Sequence, residues 1–165
     1  MNPESKLKGN MAESLAENIL REAGNQVYRF GYESVLQNLT QIDRIFDRYT
    51  EIGEQISSIP DFLVINKKGK PFFVEVKFRW HQEWHENDFK MLDRLDKFWR
   101  PIIIFVNCSK KSYFLVTKPP YYNKQKQPSG WPIEKVDYFN VSKNMIKNYD
   151  FLVEKYLKPT LRNQT

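Results

Sequence analysis

The chain has few of the residues that mark secreted, membrane-spanning or nucleotide-binding proteins. Its 165 residues include one cysteine, Cys108, which excludes an intramolecular disulfide framework and fits a reducing compartment. No apolar run approaches the length of a membrane-spanning helix, and the N-terminus lacks the apolar core of a signal peptide. No phosphate-binding loop or dinucleotide fingerprint is present. These absences predict a soluble, intracellular (cytoplasmic) protein without a membrane partner, in which Cys108 is a buried small residue.

Positive charge and aromatic residues are plentiful. Lysine and arginine total 26 against 20 acids, which gives a net charge of +6 and a sequence pI of about 9.3. Aromatic residues make up 15% of the chain, which excludes a disordered protein. The length suits one domain over residues 1–165 with a real core. A basic surface favours a polyanionic partner, DNA in the first place, with RNA left open.

Hydrophobic periodicity predicts the element order helix, strand, helix, strand, strand, helix, strand, strand, helix. The fourth and fifth elements form a hairpin whose connection is 66–71, with Gly69 supplying the turn. The other predicted ranges are helix 7–23, strand 26–32, helix 33–49, helix 87–99, strand 102–107, strand 112–117 and helix 142–157. Residues 50–59 and 118–132 are predicted loops, and residues 1–5 and the C-terminus are predicted to be frayed.

The hairpin is unusual because ionisable residues interrupt its two apolar runs. Asp61 opens the first strand, and Glu75 and Lys77 share one face of the second. If Asn66 lies opposite Pro71, Asp61 falls across from the stretch that holds Glu75 and Lys77. Burying unpaired charge is costly, so such groups are usually paired or bind a metal. Clustered carboxylates suit Mg²⁺ or Mn²⁺, and a neighbouring ammonium suits charge developing on a phosphate. The alternative is an exposed polar face at the end of a strand.

Two stretches of sequence carry a family resemblance. Pro60-Asp61 followed by Glu75-Val76-Lys77 resembles the PD-(D/E)XK motif of the restriction-endonuclease-like nuclease superfamily. The opening K-G-N-M-A-E, from Lys8 to Glu13, resembles the K-G-x-x-A-E of archaeal Holliday-junction resolvases. Together they cover about a third of the chain. The resemblance implies an α/β fold with an αβββαβ core, in which a mixed central sheet is flanked by helices. The extra helix between the first two strands and the C-terminal strand and helix depart from that pattern.

The resemblance also implies roles for the site residues. Asp61 and Glu75 would hold Mg²⁺ or Mn²⁺, with the backbone carbonyl of Val76 as a further ligand. Lys77 would stabilise the charge on the phosphate, or position or deprotonate the attacking water. Glu13 would hold or orient a second metal or its water. Helical spacing places Glu13 at the edge of the apolar stripe of the first helix and Glu17 further towards solvent. The alternative for Glu13 is an ordinary solvated acid.

Further candidates surround this set. Gln82 and Arg79 are candidates for lining the site. A zinc site in the stretch W-H-Q-E-W-H-E is conceivable from His81 and His85 but lacks a third firmly placed ligand, so a loop entering a helix is the preferred interpretation. Basic and aromatic residues elsewhere in the chain are candidate contacts for nucleic acid: Lys8, Lys90, Arg94, Lys97, Lys124, Lys126, Tyr121 and Tyr122. The alternative is that the basic residues form a solvated surface and the aromatic residues pack inward.

The expected function is that of a Mg²⁺-dependent endonuclease that hydrolyses DNA phosphodiester bonds, with branched or junction DNA among the candidate substrates. A resolvase would act as a homodimer, because it cuts two strands symmetrically. The alternative is a nucleic-acid-binding or protein-interaction module on the same fold that cuts nothing.

Overall fold

The computed structural model describes residues 3–31, 47–79, 84–109, 111–124 and 128–158. Within these ranges a six-stranded mixed sheet is flanked by helices, so the chain is an α/β protein as the element order predicts. The elements are α1 Pro3–Glu22, β1 Gln26–Arg29, α2 Glu51–Ser57, β2 Phe62–Ile65, β3 Pro71–Arg79, α3 Glu86–Phe98, β4 Ile102–Asn107, β5 Phe114–Thr117, β6 Trp131–Pro132 and α4 Lys143–Leu152. A 3₁₀ turn, Ile133–Lys135, follows β6, and α4 continues as a π-helix over Val153–Leu157.

The strands lie in the order β1-β2-β3-β4-β5-β6. Every neighbouring pair is antiparallel except β3 and β4, which are parallel and are connected through α3. All six residues of β4 are buried, as the unbroken apolar run Ile102–Asn107 predicts for a central strand covered on both faces.

The two faces of the sheet pack against different helices. On one face, α1 and α4 contribute Ala12, Ala16 and Ile146 to a core cluster that includes Val74 and Val76 of β3. On the other face, Leu92 and Leu95 of α3 pack with Ile103, Phe105 and Tyr121. Glu75 and Lys77 belong to this second face, because they pair in register with Ile103 and Phe105 of the neighbouring parallel strand.

Several boundaries differ from those predicted. The first helix begins at Pro3, where fraying was expected, because Glu4 in its first turn pairs with Lys8 at 2.6 Å. The predicted loop 50–59 contains α2, whose N-terminus is capped by the Thr50 side chain accepting from the amide of Gly53. Such a seven-residue helix is too short to show a clear period. The predicted loop 118–132 ends in β6, which pairs with Leu115 and Val116.

The structure tests the remaining predictions for the helices and for Cys108 to different extents. Of the predicted helix 33–49, residues 33–46 lie outside the described ranges, and residues 47–49 are not helical. The final helix is capped by Ser142, which accepts from the amide of Met145. Cys108 is buried, as predicted. None of the helices in the described part of the chain is long and apolar enough to cross a membrane.

Candidate functional site

The β2–β3 turn fixes the register that brings the site together. Asn66 accepts through Oδ1 from the amides of Lys68 and Lys70, each at 3.0 Å, and Gly69 takes a positive φ of 74°. Ile65, rather than the expected Asn66, lies opposite Pro71. Despite this one-residue difference, Asp61 still lies across from the stretch that holds Glu75 and Lys77, as predicted. The register that pairs Phe62 with Val74 places Asp61 opposite Glu75 when it is continued by one residue.

Where the hydrogen-bonded pairing of β2 and β3 ends, the side chain of Asp61 provides the next hydrogen-bond acceptor for β3. The last paired residues are Phe62 and Val74, and the preceding Pro60 has no amide to donate to a ladder. The Asp61 side chain accepts instead, from the backbone amide of Val76 to Oδ2 at 2.7 Å. The Asp61 carbonyl accepts from the amides of Phe30 at 2.8 Å and Gly31 at 3.1 Å. Both the backbone and the carboxylate of Asp61 are therefore fixed by the fold.

Glu75 and Lys77 form an ion pair on the same face of β3. The Lys77 ammonium contacts Glu75 Oε1, and the Glu75 side chain is 8% exposed while that of Lys77 is 36% exposed. The second oxygen, Oε2, is buried and has no hydrogen-bond partner among the described residues. A buried carboxylate oxygen without a partner is costly, so this atom is a candidate ligand for a bound cation.

Burial dominates the electrostatics of both carboxyl groups. Desolvation raises the pKa of Glu75 to about 7, against the opposing effect of Lys77; the charge of Asp61 acts upward and a hydrogen bond from its backbone acts downward. Desolvation also raises the pKa of Asp61, although Lys77, the Val76 hydrogen bond and Arg29 act in the other direction. Burial alone would lower the pKa of Lys77, but the charges of Glu75, Asp61 and Glu13 outweigh it, so the net direction is upward. Lys77 is therefore held as an ammonium between acids.

The two acids of α1 have different surroundings. Glu13 is partly buried, and its charge acts on Lys77. Glu17 accepts from Arg21 at 3.0 Å and from Arg29 at 2.7 Å, and its side chain is only 14% exposed. The prediction that Glu17 points to solvent is therefore wrong, because two arginines cover it. The negative charge of Glu13 raises the pKa of Lys77, and the role of Glu13 at the site stays a prediction.

The donor set can supply two carboxylates to a divalent cation, from Asp61 and Glu75. Among the described residues, no group of three or more His, Cys, Asp or Glu side chains lies close enough together to hold a metal ion. Glu13 therefore does not join Asp61 and Glu75 as a third ligand in this arrangement. Mg²⁺ is commonly held by one or two carboxylates, with water completing its shell. Asp61 and the buried Oε2 of Glu75 meet that lower requirement, and their hard oxygen atoms favour Mg²⁺ or Mn²⁺.

Arg79 lies next along the same face of β3. Its Nη2 donates to Asp88 Oδ2 at 3.2 Å, and its guanidinium carbon lies 3.9 Å from the centre of the Trp84 ring. Arg79 therefore lies beside Glu75 and Lys77 on this face, and its role in lining the site stays a prediction. Gln82 lies outside the described residues, as do His81 and Glu83 of the conceivable zinc set. His85 instead caps α3 with Asp88.

The candidate nucleic-acid contacts separate into buried and exposed groups. Tyr121 is buried and donates to the carbonyl of Pro101 at 2.7 Å, and Lys8 is also buried, so neither side chain is presented to a partner at the surface. Tyr122 is partly buried and donates to Asp93 at 2.8 Å. Lys126 lies outside the described residues. The exposed basic side chains are Lys90, Arg94, Lys97 and Lys124, of which Lys90 pairs with Glu86 and Lys97 with Glu51.

Sequence reasoning missed two side chains near this site. Arg29 acts on Asp61 and pairs with Glu17, while Asp88 accepts a hydrogen bond from Arg79. Arg29 comes from β1, which lies far from the motif in sequence and meets it only through the strand pairing. No local pattern signals that contact. Comparison of the chain with protein-family models, curated proteins and solved structures gave no match.

Proposed function

We propose that this protein is a metal-dependent nuclease that hydrolyses DNA phosphodiester bonds, on a restriction-endonuclease-like version of its α/β fold. The observation that carries the proposal is the meeting of Asp61, Glu75 and Lys77 at the end of the β2–β3 ladder. A buried strand position such as that of Glu75 is ordinarily apolar, and a site with no chemistry has little need for two neighbouring acids and a lysine.

Each of the ionisable side chains has a separate role in this proposal. Asp61 and Glu75 would hold the Mg²⁺, with the Val76 carbonyl beside them. When bound, the ion supplies a Lewis acid and an activated water. Lys77 is one-third exposed, so its ammonium can contact a phosphate from solvent while Glu75 anchors it. It stabilises negative charge that develops on the phosphate or positions the attacking water. Glu13 adds negative charge near Lys77, which helps to keep it an ammonium.

Charge on the rest of the surface supports a nucleic-acid substrate. The net charge of +6 and the exposed side chains of Arg94 and Lys124 favour phosphate backbones without choosing a sequence. The lone, buried Cys108 agrees with a protein that works in a reducing, intracellular compartment.

A cleavage panel tests the proposal. Linear duplex, single strand, flap, four-way junction and RNA are incubated with Mg²⁺, with Mn²⁺ and with EDTA. We expect cleavage of at least one DNA, its loss in EDTA and its loss in Asp61→Asn. Lys147→Ala, on the exposed face of α4, is the matched control and retains full activity. Cleavage that continues in EDTA or in Asp61→Asn would contradict the proposal.

A second candidate is a nucleic-acid-binding module that cuts nothing. It is favoured by the lack, within the described ranges, of a third acidic ligand beside Asp61 and Glu75. The same panel separates the two functions, because such a module binds DNA yet leaves every substrate intact with either metal.

A further inference from the structure

A cavity opens on the same face of the sheet, directly beyond the Lys77 site. It has a volume of about 370 Å³ and is lined by Arg79 and Phe105, among others. Arg79 is the next residue after Lys77 on this face of β3, about 6.6 Å further along the strand. Phe105 is the register partner of Lys77 on β4. The cavity therefore lies next to the candidate site on this face of the sheet, with Arg79 and Phe105 between them, and it is large enough for one small ligand.

The lining combines positive charge with flat aromatic surface. Arg79 and Lys111 contribute two cations, and none of the described residues that line the cavity is acidic. Trp84 and Phe105 meet edge to face, with ring centres 5.3 Å apart at 87°. Ser129 and Gly130 also line the cavity. A ligand that fits this lining is planar and carries negative charge.

The planar wall is held rigid by the protein itself. Asp88 caps α3 through the amide of His85 at 2.9 Å and also accepts from Arg79. The guanidinium group lies against Trp84, so the two flat groups are stacked. A wall that is ordered before the ligand arrives loses little entropy when the ligand binds. Guanidinium planes and aromatic rings are also the surfaces on which unpaired bases stack.

We propose that this cavity binds one unpaired nucleotide next to the phosphate that contacts Lys77. The base stacks against the wall formed by Arg79 and Trp84, and Lys111 contacts a phosphate oxygen of the same nucleotide. A base inside a duplex cannot enter the cavity without leaving its stack, which costs a few kcal/mol. The preferred substrates are therefore single strands, flaps and branch points rather than continuous duplex. This inference rests on the proposed nuclease function.

Binding in EDTA tests the cavity separately from catalysis. Fluorescence anisotropy compares a labelled single strand, a fully paired duplex of the same sequence and that duplex with an unpaired flap. The variant is Gly130→Phe, because Gly130 is exposed and an added Cβ would meet only Leu115 Cβ at 3.5 Å and the Val116 carbonyl at 3.9 Å. Lys111→Glu, at an exposed position, is a second variant that does not depend on filling the cavity. Lys147→Ala is the matched control.

We expect wild type to bind the single strand and the flap at least tenfold more tightly than the duplex. Gly130→Phe and Lys111→Glu lose that preference while Lys147→Ala keeps it. Equal affinity of wild type for single strand and duplex, or an unchanged preference in both variants, would overturn the inference. Selective binding without cleavage would contradict the nuclease alone, whereas cleavage without selective binding would contradict the cavity alone.

Discussion

The carboxylate of Asp61 accepts a 2.7 Å hydrogen bond from the backbone amide of Val76, the residue between Glu75 and Lys77. One side chain thus replaces the strand pairing that ends at Phe62 and Val74. The contact ties the position of the acid to the strand that carries the other two ionisable groups. Both partners of the contact belong to the chain itself, so the fold holds this acid beside Glu75 and Lys77.

Asp61→Asn separates the structural role of this residue from its charge. The asparagine oxygen can still accept from Val76, so we expect the free energy of unfolding to change by less than about 1 kcal/mol. Mn²⁺ raises the melting temperature of wild type, since it binds only the folded state, and EDTA reverses the rise. We expect no such rise in Asp61→Asn. An equal Mn²⁺ response in wild type and variant, followed by thermal unfolding, would show that the ion binds elsewhere.

Glu75 makes stability depend on pH. Its pKa is about 7 in the folded protein and 4.5 in the reference state, so the folded protein binds the proton more tightly. The stabilisation is complete below pH 4.5 and is lost as the pH rises through about 7. Its slope is at most about 1.4 kcal/mol per pH unit. Urea unfolding in EDTA between pH 4.5 and 8 should show this decline in wild type and a flatter profile in Glu75→Gln. Identical profiles would contradict the raised pKa.

Glu13 and Glu17 should respond differently to the same substitution. Glu17 forms ion pairs with Arg21 and Arg29, which are about half exposed, so Glu17→Gln lowers stability by about 0.2–1 kcal/mol per pair. Glu13 acts on Lys77, so Glu13→Gln lowers the cleavage rate tenfold or more and leaves the melting temperature unchanged. Thermal unfolding and single-turnover cleavage of both variants check this. A larger loss of activity in Glu17→Gln would reverse the assignment.

The variant Tyr121→Phe tests whether the aromatic residues of the segment 118–132 bind nucleic acid or pack inward. The hydroxyl of Tyr121 donates to Pro101 from a buried position, so Tyr121→Phe leaves the Pro101 carbonyl without this donor and costs about 1–3 kcal/mol of stability. DNA affinity should not change. Lys124→Ala, at an exposed position nearby in sequence, should weaken DNA binding without affecting stability. Urea unfolding and anisotropy on both variants distinguish the two roles.

The strands were more predictable than the contacts between them. The run Ile102–Asn107 identified the central strand because its first five residues are apolar without a polar alternation. Alternation placed Glu75 and Lys77 on one face, and the turn residues brought Asp61 close to them. The contact of Arg29 with Glu17 and the packing of Arg79 on Trp84 depend on pairings between distant segments. Helix α2 escaped prediction because it is held by its Thr50 cap rather than by an apolar stripe.

Single-turnover cleavage by wild type and Lys77→Ala tests the central claim most directly. Both proteins are measured with Mg²⁺ on the DNA that wild type cuts best, and Lys147→Ala, an exposed lysine of α4, is the matched control. Circular dichroism and thermal unfolding establish that the variants are folded. We expect a rate loss of about 10²–10³-fold in Lys77→Ala, as for removal of one hydrogen-bond donor to the transition state, and no loss in Lys147→Ala. Wild-type rates in a folded Lys77→Ala protein would contradict it.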